Sequence, residues 1–149
     1  MEKWAVDWAN DPNDDYNLIM EIVYNYSDVA IIYQRKHGLV IKWYSDFNGV
    51  AIPVEWFSDL LLTAKKDLND SEAMMVEVVT NRWVADWTSD YEDNYNCIIK
   101  ILCDEEVVAI VKQSAPGLIL QWCVSPKGLT MPVDWLSELL LEAKSKMSN

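Results

Sequence analysis

The chain has 149 residues, 51% of them hydrophobic, enough for one compact domain with a real core and too apolar for a disordered segment. Its formal net charge of -12 and pI near 4.3 oppose nucleic acid phosphates and anionic membranes and favour a basic protein as partner. No stretch approaches the ~18 apolar residues of a membrane span, and Met1-Glu2-Lys3-Trp4 lacks the pattern of a leader, so a cytoplasmic protein is expected.

Trp4, Val6 and Trp8 alternate with Ala5, Asp7 and Ala9, a strand pattern. Asn10 to Asp15 is a polar turn holding Pro12. Alternation resumes from Tyr16 to Tyr24, with Tyr16, Leu18, Met20, Ile22 and Tyr24 on one face. Val29 to Lys36 is a β-branched strand, punctuated by Gly38. Leu39 to Ser45 follows, with Leu39, Ile41 and Trp43 on one face. Asp46 to Gly49 is a hairpin-type turn. A short stretch then leads to Pro53, where a helix can start because its first N–H needs no partner. Glu55 and Asp59 occupy the first turns, where the helix dipole favours anions. The helix is predicted to run to about Leu68. Its apolar residues, among them Trp56, Phe57, Leu60, Leu61, Leu62 and Ala64, spread beyond one stripe, so burial on more than one side is expected. Residues 69–82 form a linker that holds a short extended run, Val76 to Val79.

From Trp83 the same order returns without a gap at an offset of 79 residues. Trp4, Asp7 and Trp8 match Trp83, Asp86 and Trp87; Tyr16-Asn17 matches Tyr95-Asn96; Gly38-Leu39 and Trp43 match Gly117-Leu118 and Trp122. The turn at Ser125-Pro126-Lys127-Gly128 stands where Asp46–Gly49 does. Pro53-Val54 and Trp56 match Pro132-Val133 and Trp135, and Leu60-Leu61-Leu62 with Ala64-Lys65 matches Leu139-Leu140-Leu141 with Ala143-Lys144. About 26 of roughly 65 positions are identical, which marks an internal duplication. The predicted fold is α+β: a tandem duplication of a four-stranded antiparallel meander plus a C-terminal helix. Repeat one covers 4–68 and repeat two 83–147, packed as one pseudo-two-fold-symmetric domain over 1–149. Each helix is expected to lie on its own sheet and against the other copy, with Trp56 and Trp135 largely buried.

Four strands then a helix, present twice and joined at Lys127-Gly128-Leu129-Thr130-Met131-Pro132-Val133-Asp134-Trp135, resembles the β4α unit of the PC4, PUR-repeat and whirly proteins. The resemblance implies units paired helix to helix and single-stranded nucleic acid as a ligand. The sheet positions that would carry that ligand depart from the family's basic pattern: Asp7, Glu21 and Lys42 in one copy, Asp86, Lys100 and Gln121 in the other.

Catalytic devices find little footing. The single histidine, His37, has Pro116 as its counterpart, so the duplicated scaffold does not require it. Four glycines form no phosphate-binding loop. Cys97 and Cys103 would stand roughly 20 Å apart on one strand, too far for a disulfide, and with Cys123 they read as reduced thiols. Asp11-Pro12-Asn13-Asp14-Asp15 opens like a calcium loop, but Tyr16 replaces the sixth-position glycine and no glutamate stands at the twelfth. No metal or cofactor is therefore expected. Gln34-Arg35-Lys36-His37 is the one basic cluster, and its counterpart Gln113-Ser114-Ala115-Pro116 is neutral.

A binding protein, not an enzyme, is the reading that remains. The first expectation is an inhibitor or immunity-type protein that occupies a basic toxin, nuclease or other effector. Its candidate contacts are the acidic turns, Asp11, Asp14 and Asp15 with Asp90, Glu92 and Asp93, and the strand-one tryptophans Trp8 and Trp87. The alternatives are a single-strand nucleic-acid binder using sheet aromatics and a small-molecule sponge at the seam between copies.

Overall fold

A computed structural model describes residues 3–12, 17–35, 38–46, 50–68, 81–90, 96–115 and 117–147. The protein is α+β, and the described residues form two five-stranded antiparallel sheets and two helices. The first half gives β1 (Trp4–Asp11), β2 (Asn17–Tyr24), β3 (Ser27–Arg35), β4 (Gly38–Trp43), β5 (Ala51–Pro53) and α1 (Val54–Asp67). The second gives β6 (Trp83–Asp90), β7 (Asn96–Cys103), β8 (Glu106–Ser114), β9 (Gly117–Trp122), β10 (Thr130–Pro132) and α2 (Val133–Met147).

The strands follow the alternation in the sequence. In β2, Met20 and Ile22 are buried in the main core with Leu18 and Tyr24 packed beside them, while Ile19 belongs to a small cluster with Tyr33 and Val40 on the opposite face. Pairing runs from Trp4↔Tyr24 to Asp11↔Asn17 in one sheet and from Trp83↔Cys103 to Asp90↔Asn96 in the other, the same register 79 residues on. The β2–β3 hairpin turns at Asn25 and Tyr26 with φ of 50° and 70°, and the β7–β8 hairpin at Asp104 and Glu105 with 50° and 73°. Positive φ at both central residues matches the right-handed twist of the flanking strands. Each turn is anchored by the chain ahead of the first strand. Asn25 donates its N–H to Lys3 O at 2.8 Å and accepts from Lys3 N at 2.8 Å; Asp104 makes the same pair with Arg82 at 2.9 and 2.8 Å. Just beyond each turn the ladder slips at Ile22/Val23 and at Ile101/Leu102, leaving buried Val29 and Val108 as the extra residues of β-bulges.

Each half holds five strands where the periodicity predicts four, and the fifth crosses over. The sheet orders are β1-β2-β3-β4-β10 and β5-β9-β8-β7-β6. β10 therefore lies on β4, pairing Thr130↔Lys42 and Met131↔Ile41, and β5 lies on β9, pairing Ile52↔Leu120. Trp43 N–H donates to Leu129 O at 2.9 Å, extending the first exchange beyond the strand. Pro53 and Pro132 are tolerated because each closes an edge strand, where a missing N–H costs no ladder bond to a further neighbour. The helices start one residue later than the prolines, at Val54 and Val133; Pro53 is the extended N-cap of α1, with φ -61° and ψ 122°.

One cluster of buried residues draws on both sheets and both helices. At its centre Trp43 and Trp122 meet edge-to-face with ring centroids 5.2 Å apart, and Phe57 of α1 stands 6.1 Å from Trp43 in the same manner. The helices touch one another, and Lys65 of α1 pairs with Asp134 of α2 at 3.4 Å. Trp56 and Trp135 pack against this core without being fully buried, each lying against the first tryptophan of a strand, Trp56 at 5.8 Å from Trp4 and Trp135 at 6.1 Å from Trp83. The fully buried indoles are those of Trp43 and Trp122.

Candidate protein-docking surface

The two strand-one tryptophans differ in exposure. Trp8, in β1, is 42% exposed, whereas Trp87, in β6, is half-buried against the core. The two stand in different sheets. Asp11 and Asp90 are the last residues of β1 and β6. Asp14, Asp15, Glu92 and Asp93 lie outside the described residues, as does His37. Arg35, in the one basic cluster, is buried at 9% exposure, with its guanidinium 3.8 Å from the centroid of the Tyr33 ring, so it does not offer its charge to a phosphate strand.

Trp8 forms one wall of a cleft of about 240 Å³ between β1–β2 and α1. The alternation of β1 brings Val6 and Trp8 to the helix-facing side, and Met20 joins them from β2. Helical spacing brings Trp56, Asp59, Leu60 and Thr63 to the opposing wall. Among the described residues the lining is apolar apart from the Asp59 carboxylate and the Thr63 hydroxyl, and it contains no lysine or arginine. In the second half a lysine stands beside the tryptophan 79 residues on from Trp8. Lys146, in the last turn of α2, holds its ammonium 5.7 Å from the Trp87 ring centroid and 2.9 Å from Glu142. Trp83 there donates its indole N–H to Thr130 O at 3.0 Å.

A second cleft, of about 380 Å³, lies at the seam where the Lys65–Asp134 pair joins the helices; Gly38, Leu39 and Glu138 complete it. Among the described residues no three His, Cys, Asp or Glu side chains converge as a metal site would need. Burial pushes the Cys103 thiol above its usual value, and Asp104 and Glu106 add to this against a hydrogen bond from Asn81. A thiol held in its neutral form is a poor nucleophile.

The open face of the first sheet gathers carboxylates in a way that the second does not, with Lys42 two strands further along the same cross-strand row as Asp7 and Glu21. Asp7 and Glu21 are direct cross-strand partners, and Asp28 pairs with Val23, two residues further along the same strand. Burial, then Asp28, then Asp7 raise the Glu21 carboxyl above its usual range. Burial, with Asp28 and Glu21, pushes Tyr44 up to about 12. In the second sheet the corresponding partners are Asp86 and Lys100, of opposite charge. Like charges directly opposite one another destabilise a sheet, and opposite charges support it. The sequence pattern identifies Asp7, Glu21 and Lys42 as outward residues without showing this crowding, because Asp28 and Tyr44 reach Glu21 only through the β2–β3 hairpin and its bulge. Asp59, Thr63 and Lys146 were also missed. For Thr63 and Lys146 the signal lay in the differences Thr63/Glu142 and Asp67/Lys146, which reverse or add charge beside the matched Leu60-Leu61-Leu62 and Ala64-Lys65 run; Asp59, replaced by the like-charged Glu138, gave none.

No family model, curated protein or solved structure matches this chain.

Proposed function

We propose that the chain is a tandem duplication of one meander-and-helix unit that acts as a non-catalytic cytoplasmic binding protein. It engages a basic protein and neutralises it in the manner of an inhibitor or immunity protein. The carrying observation is the row of carboxylates at Asp7, Glu21 and Asp28, where burial first, and then Asp28 and Asp7, raise Glu21. That row costs the free protein stability, and a cationic partner would relieve it. The net charge of -12 supplies long-range attraction to such a partner. The β4α resemblance would instead call for single-stranded nucleic acid, which the same field repels.

Titration calorimetry against polylysine and against a random single-stranded DNA, at about 50 and 200 mM salt, tests the reading. Wild type should bind polylysine and not the DNA. Reversing Asp7, Glu21 and Asp28 to lysine should weaken polylysine binding more than the same reversal at exposed Glu55, Glu105 and Glu106, which have the same summed charge. Equal effects of the two triple variants would remove the open face as the docking surface. Submicromolar DNA binding by wild type at about 150 mM salt, improved by reversal, would replace this reading with the nucleic-acid one.

A further inference from the structure

We infer that the cleft between β1 and α1 is a receptor for a single lysine side chain supplied by the protein partner, with the Trp8 ring and the Asp59 carboxylate as its cation-recognising walls. The inference rests on the proposed function and adds to it the residue type recognised and the place that takes it.

The molecule contains its own precedent. Lys146 lies over Trp87 with its ammonium 5.7 Å from the ring centroid and pairs with Glu142 at 2.9 Å, so the second half sets an exposed lysine of its own beside the equivalent ring. The residues 79 positions earlier are Asp67 for Lys146, Thr63 for Glu142 and Trp8 for Trp87. The first half thus keeps the aromatic wall and loses the lysine that would cover it. Trp8 is correspondingly 42% exposed.

The cleft's chemistry suits the missing group. Met20, Leu60 and Val6 offer an apolar path for the methylene stem of a lysine, which gains by burial while its charge stays at the mouth. The face of Trp8 attracts the ammonium through its quadrupole. Asp59 supplies the counter-charge within the same walls, and exposed Asp67 at the end of α1 adds a second carboxylate where the other half carries its cation. A neutral aliphatic side chain would fill the apolar part and leave Asp59 without a cation, so charge complementarity selects lysine over leucine.

The test is a titration followed through the indole N–H resonances, with Trp8 assigned from a Trp8→Phe variant. The probes are a blocked Gly-Gly-Lys-Gly-Gly peptide and the same peptide acetylated on its lysine. The lysine peptide should shift the Trp8 indole, leave Trp87 in place and bind about two- to fivefold more tightly than the acetylated one, the factor expected for a modest cation–π contact. The double variant Thr63→Glu/Asp67→Lys rebuilds the arrangement of the second half and should plug the cleft, abolishing the Trp8 shift. Its net charge changes by only one unit, and Asp46→Asn, with the same change elsewhere, should leave the shift intact. Should the double variant not fold, Asp59→Asn must weaken the lysine peptide by about two- to fivefold, as loss of an exposed counter-charge does. Equal binding of the acetylated peptide, or a Trp8 resonance that does not move, overturns the inference. In the latter case, movement of Asp7, Glu21 and Asp28 would show that the basic-partner reading survives without this receptor, and a spectrum that moves nowhere would sink both.

Discussion

Replacing Trp43 by alanine should destabilise the protein about twice as much as replacing Trp56. Trp43 is fully buried, with Trp122 at 5.2 Å and Phe57 at 6.1 Å. A tryptophan that loses its whole contact area gives up about 150–250 Å², worth roughly 4–6 kcal/mol at about 25 cal/mol per Å². The alanine that remains and partial collapse of the site bring this to about 4 kcal/mol, inside the range of about 3–5 for such deletions. Trp56 is half-buried beside Trp4, with one side open to the cleft, so its loss should cost about 2 kcal/mol. Urea unfolding followed by far-UV circular dichroism reads the difference directly. With a slope of about 2 kcal/mol per molar, the midpoint should fall by about 2 M for Trp43→Ala and about 1 M for Trp56→Ala. Trp122→Ala and Trp135→Ala should repeat the ranking in the second half. Equal shifts, or a larger one at Trp56 than at Trp43, would refute the assignment of the indole pair as the centre of the core.

Other outcomes follow from the turn geometry and the acidic face. Glu105 holds φ at 73°, a conformation that costs a side chain roughly 1–2 kcal/mol, so Glu105→Gly should raise stability by about 0.5 kcal/mol after glycine's greater unfolded entropy is subtracted; an unchanged or lower midpoint would count against the strain. Glu21 titrates above its unfolded value, so the folded state takes up its proton first. Its contribution should therefore favour the fold as pH falls from the raised value towards the usual 4.5 and be lost as pH rises through that window. Glu21→Gln should flatten this slope and raise the midpoint at neutral pH; a steeper slope in the variant would contradict the sign. Tyr44 should keep its phenol protonated until about pH 12, whereas its unfolded pKa is near 10, so the fold loses this contribution as pH rises between the two. Difference absorbance in wild type and Tyr44→Phe checks it, and a Tyr44 signal completing near pH 10 would show an unperturbed phenol.

Much of the backbone was legible because the alternation is long. β1, β2 and β4 were read from Trp4-x-Val6-x-Trp8, Met20-x-Ile22 and Ile41-x-Trp43, and α1 to within a residue or two from its proline and its leucine run. The exchange of β5 and β10 was not legible, since Ala51-Ile52-Pro53 and Thr130-Met131-Pro132 are too short to carry a period and their partners lie in the other half. The Asn25-Tyr26 turn escaped because neither residue is the glycine that usually supplies positive φ. The half-buried state of Trp56 and Trp135 depends on a neighbour from another element, Trp4 or Trp83, and helical periodicity reports only the face a residue occupies. Trp8 was readable as a candidate contact; its differing fate from Trp87 turned on Lys146, some 59 residues from Trp87 along the chain.

Affinity capture from the native host, with wild type and the Asp7/Glu21/Asp28 lysine-reversal variant side by side, tests the central claim most directly. Wild type should retain one basic protein in stoichiometric amount, and the reversal variant should lose it while keeping its fold by circular dichroism. Retention of the same protein by both, or recovery of nucleic acid in place of a basic protein, would contradict the account.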